Sequence, residues 1–376
     1  MKNTFLVGYY GMQNTGDDAL MNVSAWGAQR FLHTDVTINT PHPVQLYSGE
    51  KKPSVLVEKQ SFPAQNRLRQ YSTAMESDGI IFGGGSVLHN SRDINLKRHL
   101  MALSNGRKHL ALGIGIGPFT DVNAEKACRK FLNECHFVGV RDKASLEIAE
   151  AIAPNANVEL SFDLAPLMLQ TENFELASLE RKGIAICLCP KERLLGDIEA
   201  EKNRLEKIAA SLDLIQGLTG EMIYFVDFNG HQDLGDRAEH QEVASYLSES
   251  TRYQMVDYDA NPYRVLQRMA SYKLAISMRL HASVFGFLTE TPVISLNYHS
   301  KCNAWCHQTG MPIAHILDAT EFDPGALVNL ATDGLEHGFE QNELTVNMAV
   351  QAAMKNWRPT YEYSKQTSVF GCHTSL

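Results

Sequence analysis

The segment from residue 271 to residue 301 constrains the fold of this chain more than any other. Lys273 to Ser277 is a short apolar run that is typical of a buried strand. Apolar residues at helical spacing follow this run: Leu280, Val284, Phe287 and Leu288. Thr291 and Pro292 then end the helical pattern, and a second apolar run extends from Val293 to Leu296. Together these features predict a strand–helix–strand unit of a parallel sheet.

Arg279 and His281 fall between the first predicted strand and the predicted helix. The carboxyl end of a strand and the first turn of a helix present outward-pointing backbone N–H groups, which favour an anion. We therefore expect Arg279 and His281 to form the centre of an active site that handles a phosphate or a carboxylate. The alternative for His281 is a histidine with a purely structural role.

The size and charge of the chain limit its class. With 376 residues, the chain is long for one core and suits two domains. A net charge of −9 argues against a general nucleic-acid binder, which needs many basic groups. We expect no integral membrane segment, because no apolar stretch reaches the roughly 18 residues that a spanning helix needs. The start is too short in apolar residues for a signal peptide, so we expect a location in the cytoplasm or at the inner face of the membrane.

The seven cysteines are scattered and odd in number. Cys302, Cys306 and His307 are the one set that could bind zinc, but paired Cys-x₂-Cys spacing is missing. We expect reduced, unligated thiols, no metal and no cofactor.

The amino-terminal stretch combines a predicted strand, Thr4 to Val7, with a glycine-bearing loop and a helix. The loop glycines allow a ligand to approach closely: Gly8, Gly11 and Gly16. Asp17 fits the N-cap of the helix. Asp17 and Asp18 have two readings: either they only cap the helix, or they bind an acceptor hydroxyl or a metal.

A second glycine-rich stretch follows the predicted strand Asp78 to Phe82. Gly84, Gly85 and Ser86 can expose backbone N–H groups to an anion, although the glycines can equally serve close packing of strand and helix. A later predicted strand spans Leu110 to Ile116. Its glycines alternate at period two, which places them on one strand face and disfavours a dinucleotide-binding turn: Gly113, Gly115 and Gly117.

Arg141 follows the predicted strand Phe137 to Val140, as Arg279 follows its own strand. A single arginine of this kind is often a salt-bridge partner, but two on separate strand ends favour a divided anion clamp. Residues 40–75 are polar and contain proline, and their pattern assigns no element.

The alternation of strands and helices restarts at Gly183, which predicts an α/β fold with two Rossmann-like domains facing a cleft. In the second half, strands are predicted at 183–189, 221–228 and 253–258, with helices at about 199–216, 236–249 and 261–271. The predicted parts are an amino-terminal domain at 1–170, a carboxyl-terminal domain at 180–340, and a helix and tail at 341–376 that pack back on the first domain.

Several motifs together resemble the polysaccharide pyruvyl transferase family. They are GYYGMQNTGDDAL near the amino terminus, GGGS at 83–86, GVRDKAS at 139–145, FDLAP at 162–166 and SMRLHASVFGFLTETPVISLNYHSK from residue 277. The resemblance implies a GT-B-like architecture with the acceptor on the first domain and the donor on the second. It also implies phosphoenolpyruvate as donor and a hydroxyl pair of a cell-surface saccharide, or of its lipid-linked precursor, as acceptor. The product would be a pyruvate ketal, with phosphate released.

The resemblance also assigns roles to individual residues. It implies that Arg279, Leu280 and His281 form the donor-site and catalytic turn. Arg141 becomes a second anion-binding arginine, and Lys301 a candidate for the same pocket. The residues that match the amino-terminal loop of the family are implied to bind substrate: Asn14, Asp17 and Asp18.

The residue chemistry agrees with this reaction. Phosphoenolpyruvate has a carboxylate and a phosphate, and the planar fork of arginine suits both. His281 is the candidate acid/base, because an imidazole both gives and takes a proton near neutral pH. Two alternatives stay open: a nucleotide-sugar glycosyltransferase of the same architecture, and a noncatalytic saccharide- or phosphate-binding protein.

Overall fold

The computed structural model describes residues 2–46, 51–59, 61–106, 108–171, 175–177 and 180–359. The contacts divide these residues into two compact units. Unit 1 takes the described residues within 1–12, 17–174 and 347–376, and unit 2 those within 13–16 and 175–346. The short segment 13–16 thus groups with the second half of the chain, which the sequence did not predict.

Each unit is built on one parallel sheet. In the described residues, the sheet of unit 1 contains β1 (Asn3–Val7), β2 (Asp35–Thr40), β3 (Ser54–Val57), β4 (Gly79–Leu88), β5 (Leu110–Ile116), β6 (Phe137–Val140) and β7 (Val158–Leu160). The sheet of unit 2 contains β8 (Ile184–Cys187), β9 (Ile223–Val226), β10 (Tyr253–Val256), β11 (Leu274–Ser277), β12 (Val293–Asn297) and β13 (Ile316–Asp318).

Helices connect the strands of both sheets. They are α1 (Thr15–Leu32), α2 (Gln65–Met75), α3 (Ser91–Leu103), α4 (Ala124–Glu134), α5 (Lys143–Ile152), α6 (Ile198–Thr219), α7 (Arg237–Tyr246), α8 (Pro262–Met269), α9 (Leu280–Leu288), α10 (Ser300–Thr309), α11 (Pro324–His337) and α12 (Val346–Met354). None of these described helices combines the length and the apolar character needed to cross a bilayer.

Both sheets have the strand order of a Rossmann fold. The order is β3-β2-β1-β4-β5-β6-β7 in unit 1 and β10-β9-β8-β11-β12-β13 in unit 2, and all pairings are parallel. The prediction of two Rossmann-like α/β domains is confirmed. Such sheets bind ligands beyond the carboxyl ends of the strands where the order reverses. In unit 2 this place lies between β8 and β11, and β11 leads directly to Arg279.

The strands that surround this reversal are buried on both faces. Every residue of β8 and β11 is buried, and Ile186 pairs with Ile276 in register. The helices α6 and α11 supply further apolar side chains to the same core. A buried parallel strand of apolar residues needs helices on both faces, which explains why the short runs in the sequence identify these strands.

The glycine-rich stretch after Phe82 differs from its prediction. The strand does not end there, because β4 continues through Gly83, Gly84 and Gly85 to Leu88. Gly83 and Gly85 pair with β5, and a Cβ on Gly83 would lie 2.0 Å from the Ser24 hydroxyl on α1. Ladder pairing with β5 keeps this stretch in the strand, although Gly84 and Gly85 have φ values of +75° and +84°, which favour glycine. Close packing against α1 also requires the absence of a side chain at Gly83.

Two further expectations for unit 1 are wrong in detail. Helix α1 begins at Thr15, so Asp17 lies in its first turn and is not the N-cap. Gly117 lies beyond β5 with a φ of +69°, so it does not share a strand face with Gly113 and Gly115.

For two other parts of the chain, the sequence predicted no secondary structure or only its general placement. Within the unassigned range 40–75, the described residues include β3 and α2. The end of the chain contributes to unit 1: Trp357 is fully buried, and a Cβ on Gly27 would lie 2.2 Å from its ring. The side chain of Asn356 accepts a hydrogen bond from the backbone N–H of Gly113 at 2.7 Å. The predicted tail beyond residue 359 lies outside the described residues.

Candidate functional site

The turn between β11 and α9 presents Arg279 and His281 as predicted. Arg279 has an extended backbone and precedes the helix, while His281 is the second helical residue. The Ser277 hydroxyl donates to the carbonyl of Arg279 at 2.9 Å, which fixes the bend between strand and helix. Both side chains therefore start from the carboxyl edge of the sheet in unit 2.

A buried carboxylate holds the Arg279 side chain. The Nε of Arg279 donates to Asp236 Oδ1 at 2.8 Å, and Nη2 donates to the same oxygen. Asp236 is fully buried, and its Oδ2 accepts from the backbone N–H groups of Phe228 at 2.9 Å and Asn229 at 3.0 Å. Because both carboxylate oxygens are bonded, Asp236 has little freedom and fixes the direction of the guanidinium.

This pairing keeps Arg279 charged and leaves part of it accessible. Burial by itself disfavours the charge, but the adjacent Asp236 carboxylate raises the pKa of Arg279 above its usual value. No described residue bonds Nη1, and the side chain remains 18% exposed. Arg279 thus offers one oriented donor edge to a small anion.

The segment from Gln13 to Gly16 forms part of this site. The Thr15 N–H donates to the carbonyl of Phe228 at 2.9 Å, and the Gly230 N–H donates to the carbonyl of Gln13 at 2.8 Å. Asn14 forms an antiparallel bridge with Asn229, and its side chain accepts from the N–H of Gly16 at 3.1 Å. The segment is therefore fixed to the loop after β9, which Asp236 also holds.

Gly16 lies directly against the imidazole of His281. A Cβ on Gly16 would stand 2.0 Å from Nδ1 of His281, far inside any contact distance. Only glycine leaves room for the imidazole in this position. The amino-terminal loop and the β11–α9 turn, about 265 residues apart in sequence, thus build one site.

We expect Gly16→Ala to destabilise unit 2 and displace the His281 imidazole, although alanine normally stabilises a helix by about 1 kcal/mol relative to glycine. The matched control is Gly217→Ala in α6, where a Cβ would meet nothing within 4 Å. Thermal unfolding of both variants checks this expectation. A second substitution, His281→Ala, should restore the stability that Gly16→Ala removes. A Gly16→Ala protein as stable as Gly217→Ala would contradict the contact.

Two other predicted residues lie in the same unit. Leu280 is 8% exposed and belongs to the apolar interior, so its side chain supports the turn. The Lys301 ammonium lies 6.0 Å from the ring centre of Tyr298. Burial raises the pKa of the Tyr298 hydroxyl, Cys189 adds to this effect, and the charge of Arg279 opposes it. Tyr298 therefore lies within the electrostatic reach of Arg279, and it is the tyrosine of the Tyr-x-x-Lys motif that ends at Lys301.

Unit 1 brings together another predicted set. Arg141 is 6% exposed, and its Nη2 donates to the hydroxyl of Ser86 at 2.9 Å. It also forms ion pairs with Asp163 at 3.5 Å and Asp142 at 3.6 Å. Arg141 is thus a salt-bridge partner, and Ser86 is the exposed group of this set.

The two aspartates of α1 have different surroundings. Asp17 lies near Gly85, whose added Cβ would stand 3.5 Å from Oδ1 of Asp17. Asp18 is 4% exposed, and its Oδ1 accepts from the N–H of Gly11 at 2.8 Å, which ties the glycine loop to the helix. Asp17 therefore lies with Gly85 at the glycine-rich strand, and Asp18 supports the loop.

Within the described residues, no cluster of side chains fits the zinc-site alternative. Cys302 and Cys306 are buried on α10 and form no disulfide within the described residues. Cys302 Sγ lies 3.7 Å from the carbonyl of Met278, whereas Cys306 Sγ contacts Asn297. No three histidine, cysteine, aspartate or glutamate side chains lie together in a metal-binding arrangement within the described ranges.

The sequence did not reveal the roles of Asp236 and Gly16. Asp236 starts a predicted helix and therefore looks like a capping residue, but its side chain makes no capping bond and turns to the preceding loop. The signal that was available is the position of its Gly-Asp pair, which closes the loop after a buried strand.

Comparison of the sequence with known protein families tests the family resemblance that these motifs indicate. The family described as polysaccharide pyruvyl transferase matches residues 14–300. The chain belongs to this family. The matched range includes Asn14, Arg141 and the Arg279–His281 turn, and Lys301 lies just beyond it.

The amylovoran biosynthesis protein AmsJ of Erwinia amylovora is a curated relative of this chain. It is 22% identical over 311 residues, which cover 76% of this chain and 70% of that protein. The family and this relative support a transferase that modifies polysaccharide and uses a saccharide acceptor.

Solved structures resemble the whole chain. The UDP-GlcNAc 2-epimerase of Methanocaldococcus jannaschii has a TM-score of 0.64 at 9% identity and covers 96% of this chain and 100% of its own. The UDP-GlcNAc 2-epimerase of Neisseria meningitidis, bound to UDP-GlcNAc, has a TM-score of 0.62 at 11% identity with the same coverage. These likenesses show the fold, and the predicted GT-B-like architecture is confirmed.

Proposed function

We propose that this chain transfers the enolpyruvyl group of phosphoenolpyruvate onto a hydroxyl pair of a saccharide. The acceptor is a cell-surface polysaccharide unit or its lipid-linked precursor. The product is a pyruvate ketal, and phosphate leaves. The proposed location is the cytoplasm, at the inner face of the membrane when the acceptor is lipid-linked.

The main support is the fixed guanidinium of Arg279 two residues before His281, inside the range that the family matches. A dianionic phosphate or a carboxylate binds well to an arginine whose direction is already set, because little side-chain entropy is lost. Arg141 stays a prediction as the second anion-binding arginine, and Lys301 as a further cation.

The proposed reaction balances without a further reactant. A proton reaches the methylene carbon of the donor, which becomes a methyl group and leaves an oxocarbenium-like carbon. One acceptor oxygen bonds to this carbon, and the second acceptor oxygen replaces the phosphate. The two hydroxyl protons thus end on the methyl group and on the phosphate. His281 is the proposed group that delivers and accepts protons, and Arg279 stabilises the leaving phosphate without a cofactor.

A thermal-shift comparison tests the donor. Phosphoenolpyruvate at 100 times its Kd should stabilise the chain by about 2.7 kcal/mol, and UDP-GlcNAc should not. The Arg279→Gln variant should lose the shift. Stabilisation by the nucleotide sugar alone would favour the glycosyltransferase alternative.

Turnover needs a separate test. In a screen of glycosides and lipid-linked sugars with phosphoenolpyruvate, at least one acceptor should cause release of phosphate. Mass spectrometry of that acceptor should show a product whose mass has increased by one pyruvate ketal group. Donor binding without any ketal across the screen would favour the noncatalytic binding protein.

A further inference from the structure

Unit 2 contains a groove that the Arg279–His281 turn does not use. It has a volume of about 630 Å³ and is lined by residues of β9, β10 and α8 together with the segments next to them. This size suits a few sugar rings. None of the residues named above for the turn lines the groove.

Tyrosines form the flat part of the groove. Tyr224 and Tyr258 are partly exposed in the groove, and the buried Tyr272 packs against Tyr224, with the two ring centres 5.3 Å apart at an angle of 45°. A Cβ on Gly183 would stand 2.5 Å from the Tyr224 ring, so this ring rests on the backbone and is held in place. Rigid rings with a polar edge suit the C–H faces and hydroxyls of a sugar.

The charged residues of the groove are mainly basic. Lys182, Arg264 and Arg268 face two carboxylates, Asp257 and Asp259. These three cations stand out in a chain whose net charge is −9.

Each groove carboxylate already has an arginine. Asp259 forms two hydrogen bonds with Arg264, at 2.9 and 2.7 Å, and Asp257 pairs with Arg237. Three cations against two carboxylates leave the lining of the groove with a net charge of +1.

Arg268 and Lys182 carry the charge that is left. Arg268 forms an ion pair with Asp259 at 3.8 Å, and its Nη1, which is buried, has no hydrogen-bond partner among the described residues. The Arg268 side chain is 33% exposed, so its guanidinium can turn toward a bound anion. Lys182 is exposed beside it. A planar guanidinium binds a carboxylate through two parallel hydrogen bonds.

We propose that this groove binds a saccharide segment that carries a carboxylate, outside the transfer site. Tyr224 and Tyr258 contact the sugar rings, the exposed Gln254 bonds to hydroxyls, and Arg268 with Lys182 binds the carboxylate. A polymer held here gains a higher effective concentration at the transfer site. The proposal rests on the polysaccharide role of the family and goes beyond the pyruvyl transfer reaction.

Calorimetric titration without phosphoenolpyruvate tests the groove directly. Trigalacturonate should bind at least 10-fold more tightly than neutral galactotriose at low salt, and added salt should reduce the difference. Arg268→Gln and Lys182→Gln should each weaken trigalacturonate binding by 10-fold or more. The matched control is Arg252→Gln, an exposed arginine that bonds the Gly220 carbonyl outside the groove and should bind like the wild type.

Three results would overturn the proposal. They are equal binding of the charged and neutral trisaccharides, unchanged binding in both groove variants, and complete displacement of trigalacturonate by millimolar inorganic phosphate. The last result would identify a general anion site. Because no donor is present, these outcomes are independent of whether the chain transfers pyruvyl groups.

Discussion

Replacing His281 with glutamine should lower phosphate release from phosphoenolpyruvate by about 10²- to 10⁴-fold, which is the usual contribution of a general acid or base. Glutamine keeps the polarity and approximate size of the imidazole beside Gly16 but cannot transfer a proton near neutral pH. The donor should still bind, since Arg279 and its partner Asp236 are unchanged. The measurement is phosphate release with an acceptor from the screen, together with the thermal shift that phosphoenolpyruvate produces.

The matched control for His281→Gln is His307→Gln. His307 is an exposed histidine of α10, so its loss should leave the rate within about twofold of the wild type. The pH profile adds a second readout, because a proton-transferring histidine gives a limb near neutral pH that His281→Gln should lack. A variant that retains more than half of the wild-type rate would rule out His281 as the acid/base.

Local sequence patterns predicted the part of the site that is local in the chain. The β11–α9–β12 unit follows its predicted bounds closely because apolar periodicity over about 25 residues determines it. The positions of Arg279 and His281 at the strand end follow directly from that unit.

The rest of the site depends on contacts between distant residues. Asp236 is 43 residues from Arg279 in sequence, and its bond to the guanidinium depends on how the loop after β9 folds back. Gly16 meets His281 only because the segment 13–16 pairs with that loop. A sequence pattern cannot show such pairings, since propensity and periodicity describe neighbours along the chain.

The glycines after Phe82 illustrate a different limit. Three consecutive glycines favour a turn by propensity, but pairing with β5 and packing on α1 hold Gly83 to Gly85 in the strand. Tertiary contacts override the local preference here. The predicted strand end at Phe82 was therefore wrong, and within the longer strand Gly84 and Gly85 adopt the positive φ values that glycine allows.

A buried network of charged side chains contacts the residue that precedes the Arg279–His281 turn. Arg204 is 1% exposed and bonds Glu192 at 3.0 Å and also Glu201. Its Nη1 lies 2.8 Å from the sulfur of Met278, the residue before Arg279. Burial raises the pKa of Glu239 to about 8, and the neighbouring Glu201 adds to this shift. Arg204 therefore bonds Glu192 and Glu201 and lies 3.8 Å from Glu239, whose raised pKa favours the neutral form.

Arg204→Met should therefore lower the free energy of unfolding of unit 2 by about 3–5 kcal/mol, because it leaves the buried Glu201 without its cation and leaves Glu192 with Lys191 alone. Urea unfolding at pH 7.5 measures this change. The matched control Arg252→Met removes an exposed arginine and should shift the free energy by no more than about 0.5 kcal/mol.

The electrostatic origin of the Arg204 effect can be separated from lost packing. Adding Glu201→Gln to Arg204→Met should restore part of the stability, since it removes the carboxylate that has lost its cation. The deficit of Arg204→Met should also shrink as the pH falls from 8 to 5, because unpaired buried carboxylates have raised pKa values and take up protons on folding. If the deficit stays constant with pH and the second substitution only adds to the loss, packing around Met278 rather than charge explains the role of Arg204.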